Sequence, residues 1–296
     1  MAQPLLPMVR PLQADTLLAD GPWAQSHGWS ARDAVIYNLG IGFGAAAVDD
    51  PRLLPYVLEE EALAFPTMAG VVNMDDSPLL RPAYGIDLAG MLHGEEAMEI
   101  LRPLPATCQV AITAEIEHLW DKGAERGAIL RLRRTLVDTA NGDALAIVRS
   151  TLLLRGNGGF GGSAAGVPRQ RLAPERPADG RICATTRPEQ ALLYRLTGDR
   201  NPLHNDPPTA RAAGYPRPIL MGLCSLGIAA RVLTARLADG DAACVRAIEV
   251  RFAGIVFPGD SLDIHWWTLA DGAFAFEARV IARDALVLSG GRIRFG

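Results

Sequence analysis

The chain has 296 residues, enough for two domains, and 49% hydrophobic against 21% charged residues marks a globular protein with a sizeable core. A formal net charge of −4 supplies no basic field for a nucleic-acid backbone. No apolar run approaches the ~20 residues a membrane span needs.

The four cysteines (Cys108, Cys183, Cys224 and Cys244) show neither Cys-x-x-Cys nor metal-ligand spacing, which predicts reduced core residues of a cytoplasmic protein. No His/Cys/Asp cluster has metal spacing, so no metal site is expected. The opening residues lack a basic stretch ahead of an apolar core, so no secretory leader is expected. The closing Arg292-Ile293-Arg294-Phe295-Gly296 does not read as a peroxisomal address of the Ser-Lys-Leu type.

Residues 1–28 show little periodicity and read as an arm lying on the fold. Ser30 and Asp33 make a capping box, and helical spacing follows from Ala34 to a stop near Gly40, Gly42 and Gly44. The acidic run 59–61 reads as a solvated face. Residues 91–102 look extended, and 110–120 alternate as a half-buried strand does, ending in the turn Asp121-Lys122-Gly123. Two further strands, 128–137 and 144–154, are joined by Asn141-Gly142-Asp143, a strong hairpin signal. Residues 155–180 read as a flexible connector, with six glycines in the first twelve positions. No apolar-period helix follows the glycines at 156–162, so they do not form a nucleotide loop.

The second half repeats the plan. A strand at 181–186 leads to a motif-rich segment, then to 219–237, which is apolar nearly all round and predicts a buried central helix. Strands follow at 243–255, 261–269, 273–282 and 285–295. A Pro-bearing lead-in, a long strand and a polar turn occur in both halves, which points to duplication. The expected architecture is α+β, with antiparallel sheet around a central helix. The expected domains are 1–154 and 181–296, joined by the linker 155–180.

Chemistry concentrates in Tyr194-Arg195-Leu196-Thr197-Gly198-Asp199-Arg200-Asn201-Pro202-Leu203-His204. Gly198 and Pro202 force a turn. A helix would separate Asp199 and His204 by about 500° of rotation, whereas a turn can bring both side chains to one small volume. Gly222 falls where the long apolar helix begins, and an amide near a helix N-terminus is a natural donor to a developing oxyanion. Gly-Asp-x-Asn-Pro alone would be an ordinary Asx turn; Leu203-His204 and then Pro218-Ile219-Leu220-Met221-Gly222 at fixed spacing weaken that reading.

This stretch resembles the R-specific enoyl-CoA hydratases (hydratase 2, the MaoC-like dehydratases), whose signature reads Tyr-x-Leu-Ser/Thr-Gly-Asp-x-Asn-Pro-Leu-His. Leu92-His93-Gly94-Glu95, Leu119-Trp120-Asp121-Lys122-Gly123, residues 155–162 and the segment from Val250-Arg251-Phe252 to Pro258-Gly259 look like further motifs of that family. Met221 departs from it, since many relatives have His there, and the resemblance implies altered acyl or CoA contacts at that point.

The resemblance implies a double hotdog fold. The first half then lacks the long central helix and the catalytic turn, which leaves one active site, and its glycine-rich, helix-poor sequence around 40–70 reads as room for a bulky or long acyl chain. It implies syn addition of water to a trans-2-enoyl-CoA by an Asp199/His204 dyad, giving the (3R)-hydroxyacyl product. Asn201 orients the dyad or the water, and the Gly222 N–H serves as the oxyanion donor. Asp199, Arg200, Asn201, Pro202, Leu203 and His204 line the ligand. His93 and Gly94 match acyl-CoA contacts, Lys122 a CoA-phosphate contact, and Phe252 an apolar wall. Without the resemblance Lys122 reads as a solvated turn lysine, His93 as a strand histidine and Phe252 as core; His27, His118 and His265 read as structural. The expected partner is acyl-CoA substrate, with no cofactor beyond the CoA that the substrate carries. No nucleic acid or membrane partner is expected, and a homodimer or higher homo-oligomer is expected. The rival readings are a hotdog acyl-CoA thioesterase and a non-catalytic acyl-CoA-binding protein.

Overall fold

The computed structural model describes residues 11–72 and 77–296. The opening residues 1–10, for which no secretory leader is expected, lie outside them. Among the described residues ten strands are formed: β1 (Trp23–Trp29), β2 (Met91–Ile100), β3 (Cys108–Asp121), β4 (Ala128–Asp138), β5 (Ala144–Leu154), β6 (Gly180–Thr185), β7 (Val245–Phe252), β8 (Ser261–Thr268), β9 (Phe274–Val280) and β10 (Ala285–Phe295). Six α-helices accompany them among the same residues: α1 (Ala14–Ala19), α2 (Ala31–Gly40), α3 (Phe43–Ala47), α4 (Gln190–Tyr194), α5 (Pro207–Ala212) and α6 (Gly222–Leu237).

The strands make one sheet in the order β1-β3-β4-β5-β2-β7-β10-β9-β8-β6. Read outward from the middle, β2-β5-β4-β3-β1 and β7-β10-β9-β8-β6 are the same arrangement twice. In each half the first strand is outermost and the second forms the seam. The halves join where β2 pairs antiparallel with β7, with Glu96 opposite Val250 and Met98 opposite Ile248. The duplication read from sequence is therefore a structural one, and the fold is an α+β double hotdog.

Alternation sets the faces. Cys108, Val110, Ile112 and Ala114 of β3 are buried and the residues between them exposed, the period-2 pattern of a sheet with one covered face. α6 packs on β6, β7 and β10; eleven of its sixteen residues are buried, which its nearly continuous apolar surface requires. In the first half α2 has ten residues and is followed by α3 and short 3-10 turns at Pro51–Tyr56 and Pro66–Gly70. No helix of α6's length stands there among the described residues, as the resemblance implies. The capping box at α2 forms, with the Ser30 side chain accepting from the Asp33 N–H and the Asp33 carboxylate accepting from the Ser30 N–H.

Three expectations need correction. Part of the N-terminal arm is the edge strand β1, paired with β3 from Trp23 opposite Ala114 to Trp29 opposite Cys108. The glycine-rich start of the connector is tied down rather than free. The Asp121 carboxylate accepts backbone N–H groups from Gly123 (2.8 Å), Gly159 (2.7 Å), Gly161 (2.9 Å) and Gly162 (3.2 Å). Asn157, 3% exposed, accepts from the Asp87 N–H and donates to the Gly85 carbonyl. The backbone donors hold the Asp121 carboxyl below the usual carboxylate range. Finally, Cys183 is exposed, not a core residue. Among the described residues no helix is long and apolar enough to cross a membrane.

Candidate active site

The turn at 198–204 is built by local chemistry. Gly198 has φ +128°, a conformation that L side chains rarely adopt. The Asp199 Oδ1 accepts the Asn201 N–H (3.2 Å), and the Asn201 Oδ1 accepts the Leu203 N–H (3.0 Å), capping a 3-10 turn at Pro202–His204. His204 then swings back toward Asp199, with Nε2 3.9 Å from the carboxylate Oδ2. Its Nδ1 lies 2.9 Å from the Ile219 carbonyl oxygen. A carbonyl only accepts, so Nδ1 carries the hydrogen and Nε2 is the ring nitrogen left to exchange a proton. The 3.9 Å gap is too long for a direct hydrogen bond but suits a water bonded to both groups.

Gly222 is the first residue of α6. The first N–H groups of a helix have no intrahelical acceptor and carry the positive end of its dipole. The Phe252 ring lies against Gly222 so closely that a Cβ there would sit 2.9 Å from the Phe252 Cδ1. From the first half, the His93 ring meets Phe252 edge-on, with centroids 4.9 Å apart, and its Nε2 is 2.9 Å from the Glu96 Oε2. Beneath the turn, Tyr194 and Cys224 are fully buried. Burial, and then the charge of Asp199, push the Cys224 thiol well above its ordinary value; it stays protonated and is no nucleophile.

One cavity of about 650 Å³ opens between the turn and Gly222. Asp199, Arg200, Asn201, Leu203, His204, Gly222, Phe252 and His93 all face it. Three residues expected at the ligand do not. Gly94 is the extra residue of a β-bulge, since His93 pairs with Leu152 and Glu95 with Thr151. Pro202 lies within the 3-10 turn. Lys122 sits in the turn after β3, where its N–H donates to the Gly127 carbonyl. Met221, expected to alter substrate contacts, is 1% exposed in the core and does not line the cavity. Sequence reading missed the apolar lip. Leu80, Leu88 and Leu92 are 37–48% exposed at the cavity, and Leu152, Val287 and Leu288 continue the wall. A second cavity, about 470 Å³, lies over the β2/β7 seam and contains none of the motif residues of the turn.

A two-half hotdog that sets an Asp/His pair beside a helix N-terminus, in a cavity with apolar walls, has the parts of a proton-transfer enzyme acting on an acyl substrate. Comparison with known proteins agrees. Residues 170–286 match the MaoC like domain, and residues 27–156 match the MFE-2 hydratase 2 N-terminal domain. The chain is 36% identical over 279 residues to 3-hydroxyacyl-thioester dehydratase Y of Mycobacterium tuberculosis, covering 90% of this chain and 93% of that one. It is 37% identical over 292 residues to peroxisomal enoyl-CoA hydratase 2 of Arabidopsis thaliana, covering 94% of each. A crystal structure of a MaoC-like dehydratase from Phytophthora capsici superposes with a TM-score of 0.83 at 31% identity, covering 96% of this chain and 99% of that one. The chain belongs to the family of MaoC-like dehydratases and hydratase 2 enzymes, a family of hydro-lyases.

Proposed function

We propose that this hydro-lyase catalyses the reversible, R-specific hydration of trans-2-enoyl-CoA to (3R)-3-hydroxyacyl-CoA. The observation that carries the reading is the pairing of Asp199 with His204 at 3.9 Å in the cavity that also holds Gly222 at the start of α6. A water held between the carboxylate and Nε2 has its oxygen free to attack Cβ. The dyad accepts one proton from that water and delivers one to Cα, so it ends as it began. Addition of H and OH from one side is syn, and it sets the R configuration when the thioester is bound in one orientation. Negative charge passing to the thioester oxygen meets the Gly222 N–H, a donor of the kind whose removal elsewhere costs about 2.7–4 kcal/mol.

Hydration transfers no electrons, so the reaction is read as needing no cofactor beyond the CoA of the substrate. The enzyme is read as cytoplasmic, in keeping with four free cysteines, and as a homodimer or larger, which mass photometry would contradict if only particles of one 31.6 kDa chain appear. The test of the reaction is paired. Loss of the enoyl absorbance without free thiol supports hydration. Release of free thiol from a saturated acyl-CoA would make the protein a thioesterase and overturn the reading.

A further inference from the structure

Glu96 and Arg134 take no part in the chemistry above, yet they form a buried ion pair beside it. The Glu96 side chain has 0% exposure and that of Arg134 8%. The neighbouring inward positions of β2 hold Met98 and Ile100, and a pair of charges in such a row costs more desolvation than an apolar pair unless its geometry is used for something. The geometry here divides the carboxylate. Its Oε2 accepts from the His93 Nε2 at 2.9 Å, and its Oε1 faces the Arg134 Nη2 at 3.5 Å with no hydrogen bond of its own. Arg134 donates to the Ser150 hydroxyl (3.1 Å) and to the Val72 carbonyl (3.3 Å).

The pair therefore reaches the cavity along two routes. One runs through His93 to the Phe252 ring and on to Gly222, the oxyanion donor. The other runs through Val72 to its neighbour Val71, whose carbonyl oxygen would lie 3.6 Å from a Cβ placed on Gly198, next to Asp199. We infer that Glu96 is a positioning residue: with Arg134 it holds His93 against Phe252 and residues 71–72 against Gly198, and so sets the spacing between the oxyanion donor and the Asp199/His204 dyad. This rests on the hydratase reading. A carboxylate suits the task because the N–H of an imidazole bonds a charged acceptor more strongly than a neutral amide.

The test compares Glu96→Gln, the double variant Glu96→Gln/Arg134→Met, and Glu96→Gln placed on a His93→Gln background. Glu96→Gln strands the Arg134 cation, and both Tm and kcat fall. The double variant removes the stranded charge, and Tm recovers. The inference expects kcat to stay about 10- to 100-fold down with KM nearly unchanged, the scale of a small misplacement of reacting groups. A merely structural pair would let kcat recover with Tm, and a double variant within twofold of the wild-type kcat overturns the inference. On the His93→Gln background Glu96→Gln is expected to cost little more, whereas losses that multiply overturn the route through His93. Nitrogen NMR of the His93 ring tests the same contact without substrate, and separates this inference from the hydratase reading. Wild type is expected to hold the hydrogen on Nε2 and Glu96→Gln to lose that preference. An unchanged tautomer overturns the inference even in an active enzyme.

Discussion

If Asp199 and His204 share one water, removing either should disable the same step. Asp199→Asn keeps an oxygen for the Asn201 N–H that Oδ1 now accepts but cannot take a proton. His204→Gln keeps a donor for the Ile219 carbonyl, now bonded at 2.9 Å, but has no titrating nitrogen. Each single change is expected to lower kcat by about 10²–10⁴, roughly 2.7–5.4 kcal/mol at ~1.36 kcal/mol per decade. Independent contributions would multiply, to about 10⁴–10⁸ in the double variant. Groups acting as a unit behave otherwise, and the double variant is expected to be no worse than about the weaker single one. The structure supports a unit, because a 3.9 Å separation admits one water and no more. Each substitution disturbs at most one hydrogen bond in the fold, about 0.5–1.5 kcal/mol, so Tm should move by only a few degrees. The assay is initial rate by enoyl absorbance at saturating substrate, with Tm measured on the same samples. Multiplying losses in the double variant, or near-normal turnover in either single one, would refute the shared-water mechanism.

Gly222→Ala would drive a Cβ to within 2.9 Å of the Phe252 ring; kcat should fall at least tenfold, and Gly222→Ala combined with Phe252→Leu should recover part of it, while unchanged kinetics in the single variant would remove Gly222 from the site. Asp121→Asn should lower Tm at neutral pH by weakening the acceptor for four backbone donors. The folded carboxyl lies below its ordinary value. Its stabilisation is therefore present above the unfolded value of about 3.9 and lost as pH falls through the folded value. The Tm difference between wild type and variant should thus close below about pH 4, and a difference constant down to pH 2 would contradict this. Prolonged chelator treatment should leave kcat unchanged, and a loss restored by added metal would show that the dyad is not the whole machinery.

Much of this fold is legible locally. The alternation along 110–120, the Asn141-Gly142 hairpin and the all-round apolar run after Gly222 each report a single element, and β3, β4, β5 and α6 follow. The turn at 198–204 is equally local, because Gly198, Asn201 and Pro202 fix its shape within seven residues. The errors fall where structure depends on distant partners. β1 is a short edge strand whose small and polar residues between Trp23 and Trp29 give weak alternation, and its partner is some eighty residues away. The glycines at 159–162 look unrestrained until Asp121 is folded beside them. The apolar lip of Leu80, Leu88 and Leu92 comes from turns and a strand end with no common period. Met221 shows the converse limit: adjacency in sequence to Gly222 does not aim its side chain into the cavity.

The central claim is a stereospecific water addition, and one coupled assay tests it most directly. Purified protein is mixed with trans-2-enoyl-CoAs of four to sixteen carbons, and the products are passed separately to R-specific and S-specific 3-hydroxyacyl-CoA dehydrogenases. The account predicts loss of enoyl absorbance with oxidation by the R-specific enzyme alone. Oxidation by the S-specific enzyme, or no loss of absorbance with any chain length, would contradict it.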